Sequence, residues 1–152
     1  MVDIRLLLGG LRFSVRVALL CVREGRLLVN VDDGLGFAFL PGGALGTGED
    51  VVECAAREWA EETGLAPGPM RVVAVVENFF GGSHGPQHEI GFYLRMSDPP
   101  EVADGASILD SATGRLRWLP LAEVAAYPVL PTLVLDLLEV PDGEVRHLVQ
   151  RG

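Results

Sequence analysis

Apolar and β-branched residues dominate positions 12–22 (RFSVRVALLCV) and 26–31 (RLLVNV), with Glu24-Gly25 between them. Two such runs joined by a glycine turn predict a β-hairpin, ended by Asp32-Asp33-Gly34. Positions 37–40 form a short extended segment that feeds a Pro41-Gly42-Gly43 turn. The pattern then changes period. At about 100° per residue, Val52, Ala55, Ala56, Trp59 and Thr63 fall on one arc and are expected to face a core. Glu58, Glu61 and Glu62 share the neighbouring arc at i, i+3 and i+4. Thr47, with Asp50 three residues on, is the expected helix start, and Gly64 the expected left-handed end.

Beyond a Pro-Gly connector at 66–69, positions 70–80 and 88–96 read as strands, with 81–87 (GGSHGPQ) as a flexible loop between them. Positions 97–110 read as an exposed connection, 115–118 as a short strand, 121–126 as a helix start, and 131–139 as a second helix. The tail at 143–150 is ambiguous. This order predicts an α/β mixed sheet with helices on its faces. With no internal repeat and no boundary in composition, the 152 residues are expected to form a single domain.

Composition narrows the function classes. The formal charge is −9 and the sequence pI about 4.7, which argues against a binder of nucleic-acid polymers or anionic membranes. No apolar run reaches the ~18 residues that a membrane span needs. Cys21 and Cys54 are too few for a disulfide framework and sit in apolar stretches, as expected of buried thiols in a cytoplasmic protein.

Three glutamates one helical turn apart repel one another, and each like-charged pair costs a few tenths of a kcal/mol. A solvated acidic face is the simple explanation of such a cluster; a hard divalent cation is the other, because it would offset the repulsion. The flanking residues favour the cation. Gly43, Glu49, Arg57, Glu58, Glu61, Glu62, Gly64 and Leu65 stand at the spacing G-x5-E-x7-R-E-U-x-E-E-x-G-U. This segment resembles the Nudix box of the Nudix hydrolase family, with Trp59 in place of the usual aliphatic U. The weaker similarity around it spans residues 14–138.

The resemblance implies an α/β/α sandwich around a mixed sheet. It also implies Mg²⁺-dependent hydrolysis of the pyrophosphate bond in a nucleoside diphosphate linked to another moiety, with Mn²⁺ able to substitute. Metals suit that chemistry because they neutralise phosphate oxygens and acidify bound water. Glu58, Glu61 and Glu62 are then the expected metal ligands, one of them doubling as general base, and Arg57 an orienting partner. Gly42 and Gly43 permit close backbone approach to metal or phosphate, and Glu49 is expected to orient the others. Many relatives draw a further acidic group from the loop before the late strand, where this chain offers only Asp110.

Candidate substrate contacts are Arg16 (or Arg12, on the same strand face as Ser14), Phe39, Phe79 and Glu89. An edge-strand surface role serves the arginines equally well, and a core role the aromatics. His84 and His88 lack the companion ligands of a metal site. No amide stands near Tyr127 and Pro131, where relatives that clean oxidised nucleotides read the purine, and no signature marks an NADH or ADP-ribose substrate. A catalytically silent ligand sensor is the alternative function, and a homodimer is compatible with the sequence.

Overall fold

The computed structural model describes residues 1–32, 36–126, the backbone of 129–130, and 133–152. The expected break at Asp33-Gly34, the segment around Tyr127 and Pro128, and the expected helix start at Pro131 lie outside them. In chain order the elements are β1 Arg5–Leu8, β2 Leu11–Arg23, β3 Arg26–Asp32, β4 Ala38–Phe39, β5 Gly42–Ala44, α1 Val51–Thr63, β6 Met70–Gly82, β7 Gly85–Met96, β8 Ala106–Ser107, β9 Gly114–Pro120, α2 Leu121–Val124, β10 Val129–Leu130, α3 Val134–Leu138 and β11 Arg146–Arg151.

The strands form a mixed sheet whose main path runs β10-β4-β3-β2-β7-β6-β11. The hairpin of β2 and β3 turns at Glu24 and Gly25, both with positive φ. β2 is central. It lies parallel to β7 from Arg12 to Cys21, while its other edge pairs with β1, then β5, then β3. An edge position for Arg12 and Arg16 is therefore excluded.

Both faces of the sheet are covered, and the sequence shows it as an unbroken apolar run. Val17, Leu19 and Cys21 pack with Cys54, Ala55 and Trp59 of α1. The alternate residues Ala18 and Leu20 pack with Val124, Val134 and Leu137 of α2 and α3. This is an α/β/α sandwich. No helix among the described residues is long and apolar enough to cross a membrane.

Several local expectations change. Gly42-Gly43 is not a free turn: it begins β5, which pairs with Val17 and Ala18 of β2. The helix is capped by Asp50, whose carboxylate accepts from the Glu53 N–H at 2.8 Å, while the Thr47 hydroxyl accepts from Val2 N–H. Gly64 ends the helix in the left-handed conformation, as expected. The buried arc is Cys54, Ala55, Trp59 and Glu62, and Val52 is exposed. The expected loop at 81–87 is largely strand, since β6 and β7 stay paired out to Gly82 and Gly85. The ambiguous tail is β11, parallel to β6.

Candidate active site

The site is built where the middle and last turns of α1 meet β5. Gly43 is fixed by a close approach: a Cβ there would overlap the Glu58 carboxylate. Gly42 has φ 149°, and a Cβ on it would strike the Val17 carbonyl. Gly43 lets the strand run against the helix with the Glu58 carboxylate filling the gap, and Gly42 lets it run against β2.

Arg57 holds the acidic groups together. Its Nε and Nη2 donate to the two oxygens of Glu49 at 3.1 and 2.6 Å, a forked pair. Its Nη1 donates to Glu58 at 3.0 Å and to Glu61 at 3.2 Å, and Nη2 also reaches the Ala44 carbonyl at 3.2 Å. Glu49 in turn accepts from Gly46 N–H at 2.8 Å. The Arg57 hydrogen bonds, with this amide, hold the Glu49 carboxyl down at about 2. Arg57 itself is shifted upward, chiefly by Glu49.

The other carboxyls move the opposite way. Burial raises Glu58 against the pull of Arg57. Glu62 is pushed up to about 8, first by burial and then by the charge of Glu58; the Gly42 amide and Arg16 oppose the shift. Only 6% of Glu62 is exposed, and its Oε2 is buried with no hydrogen-bond partner. Glu62 thus separates from the exposed arc that its spacing suggested, and turns toward β2.

Asp110 joins the helix from a distant loop. Ile108 is buried beneath α1, and Leu109 N–H donates to the Glu62 carbonyl at 3.1 Å, which pins this loop to the end of the helix. Oxygens of Glu58, Glu61 and Asp110 all lie within 4.8 Å of one another. Three carboxylates with no nitrogen or sulfur donor suit a hard divalent cation. The unpartnered Glu62 Oε2 beside them fits the same need.

The remaining candidates are spread out. Arg16 and Glu89 line one cleft with Arg12 and Ser14, and both are close enough to sense each other's charge. Phe79 stacks on His88 at 4.3 Å and carries the Arg151 guanidinium on its ring. Phe39 lies on β4 against Phe37, three strands from Phe79's β6 neighbour β7. The two phenylalanines do not converge. Arg5 and Gln87 also line the cleft; neither lies in a recognisable motif, so the sequence does not mark them.

Fold and site together define a class. A family comparison matches the NUDIX domain over residues 11–137. The chain belongs to the NUDIX family, the class of hydrolases to which its box points. Among solved structures it is similar to a MutT protein from Bacillus halodurans, at 18% identity and TM-score 0.69, covering 88% of this chain and 86% of that one. It is similar to the NUDIX domain of Shewanella oneidensis NrtR complexed with ADP-ribose, at 22% identity and TM-score 0.58, covering 84% and 83%. It also resembles an ADP-ribose pyrophosphatase from Streptococcus suis, at 15% identity and TM-score 0.54, covering 89% and 98%. At these identities the structural likeness speaks for the fold.

Proposed function

We propose that this protein is a Mg²⁺-dependent pyrophosphohydrolase, with Mn²⁺ able to substitute, that cleaves a nucleoside diphosphate linked to another moiety. The observation that carries it is the meeting of Glu58, Glu61 and Asp110, with the Glu58 carboxylate seated in the space left by Gly43. Glu58, Glu61 and Asp110 hold the metal, and Glu62 and the Gly42 backbone close the site from the sheet side. The bound ion supplies charge neutralisation and an acidified water.

The chain's own residues do the rest. Arg57 fixes the rotamers of Glu58 and Glu61 while Glu49 anchors Arg57, so the carboxylates need little reorganisation. Glu62 Oε2 is the proposed proton acceptor for the attacking water, since burial brings its affinity near neutral pH. Arg16 contacts a substrate phosphate and Glu89 a hydrogen-bond donor beyond it. The chain acts as a single domain in the cytoplasm, where its two buried cysteines stay reduced.

A phosphate-release screen over nucleotide sugars, dinucleotides and nucleoside triphosphates, with and without Mg²⁺ or Mn²⁺, tests this. Turnover of at least one diphosphate derivative, abolished by chelation, is expected. Uniform inactivity alongside ligand binding would instead make the protein a sensor.

A further inference from the structure

Every one of the 12 cationic Lys+Arg positions in this chain is an arginine. Three of them, Arg5, Arg12 and Arg16, line a single cleft of about 450 Å³ with Ser14, Gln87 and Glu89. In a molecule of net charge −9 this is a local reversal of sign. Arg12 and Arg16 lie on the same face of β2, where Ser14 separates them, and β1 and β7 form the walls. Among the described residues no hydrogen bond or ion pair engages the Arg12 or Arg16 guanidinium; Arg5 has only a loose 3.9 Å contact with exposed Asp3. Arg16 is half-buried, and a partly desolvated guanidinium without a hydrogen-bond partner favours an incoming anion, while Arg12 and Arg5 are exposed and reach an anion from the rim of the cleft.

The cleft is linked to the acidic helix through β5, and no residue of the helix itself lines it. Ala44 lines it, and its carbonyl accepts from Arg57; the Arg16 charge also reaches Glu62. Arg12 is four residues beyond, roughly 13 Å along the strand at about 3.3 Å per residue. That distance accommodates one sugar-sized unit and its linkages.

We propose that this cleft is a specificity subsite for a substrate whose second moiety carries its own anionic group, a phosphate or a carboxylate, held by Arg12 and Arg5. Glu89, opposite Ser14, faces the stretch between and Gln87 stands opposite Arg12, and both read hydroxyl or amino donors there. The proposal rests on the pyrophosphohydrolase assignment for what happens to the substrate, and on the cleft alone for the binding of the anion.

Two measurements separate these supports. The first uses metal-free protein in chelator and inorganic phosphate as the probe. Phosphate is expected to raise the melting temperature of the wild type, and this rise is expected to be lost in Arg12→Ala, whose melting temperature without phosphate is the check on folding. The second compares hydrolysis of a nucleoside diphosphate hexose with that of its 6-phosphate and its uronate. At least one anionic form is expected to exceed the neutral one about tenfold in kcat/KM, mostly through KM, and Arg12→Ala to bring that ratio toward one; Arg12→Lys is expected to retain part of it. Which anionic form wins decides between phosphate and carboxylate. No stabilisation of the wild type by phosphate, a rise that persists in Arg12→Ala, or equal turnover of neutral and anionic substrates would each overturn the subsite. Phosphate binding that depends on Arg12, without hydrolysis of any substrate, supports the subsite and overturns the hydrolase assignment.

Discussion

Glu62 shows how far a single residue departs from its place in a motif. Its neighbours Glu58 and Glu61 share the Arg57 guanidinium, whereas Glu62 faces the core with one oxygen unpartnered. Its folded pKa of about 8 exceeds the ordinary 4.5, so the folded state keeps a proton that the unfolded chain releases between those values. Stability of the metal-free protein is therefore expected to be greatest below about 4.5 as far as this group contributes, and to fall as pH rises through about 8. Replacing Glu62 by Gln removes the titration. Thermal melts in chelator are expected to show a steeper decline from pH 5 to pH 8.5 in the wild type than in Glu62→Gln, with the variant equal or more stable at the upper end. A variant less stable at both ends would mean that the carboxylate has a structural partner. Added Mg²⁺ is expected to stabilise the wild type more at pH 8 than at pH 5, because only the ionised carboxylate attracts it.

At the scale of the elements, the clearest signals in the sequence were those with two-sided or fixed-spacing consequences. Residues 17–21 of β2 are buried on both faces, so the strand reads as a continuous apolar run, and the box spacing placed α1 and its glycines. Asp110 was visible only as an isolated acid, because its meeting with Glu58 and Glu61 depends on the long-range bond from Leu109 to the helix end. β1 was not anticipated: all four of its residues are exposed, so no alternation marks it. β11 was equally obscure, since an edge strand held by main-chain pairing needs little side-chain pattern. The helix starts at Asp50, three residues beyond the expected Thr47. Thr47 and Asp50 are both good N-cap types, and only the structure shows that Asp50 bonds the helix while Thr47 bonds Val2. Asp50→Ala is accordingly expected to cost ~1 kcal/mol, or roughly 2–4 °C in Tm for a domain of this size. Thr47→Ala is expected to cost less, and calorimetry of the two variants gives the order directly.

At the scale of the whole molecule, charge works against the proposed substrate while local groups work for it. The −9 of the chain repels an incoming diphosphate, and salt screens that repulsion over a Debye length of about 8 Å at physiological ionic strength. In the proposed mechanism, attraction by Arg16 and a bound metal acts at contact, in a partly buried site, and is screened less. For a substrate with a neutral second moiety, kcat/KM at saturating Mg²⁺ is therefore expected to stay flat or rise slightly as monovalent salt increases to about 0.15 M, and to vanish without Mg²⁺. A steep fall would require long-range attraction to exceed the repulsion, as it does in proteins that bind nucleic-acid polymers. The arginines to mutate would then be Arg12 and Arg16, which share the cleft. Arg71 is a poor candidate, since it is tied to Asp142 at 2.9 Å and to the Val140 carbonyl at 3.1 Å beside the C-terminal end of α3.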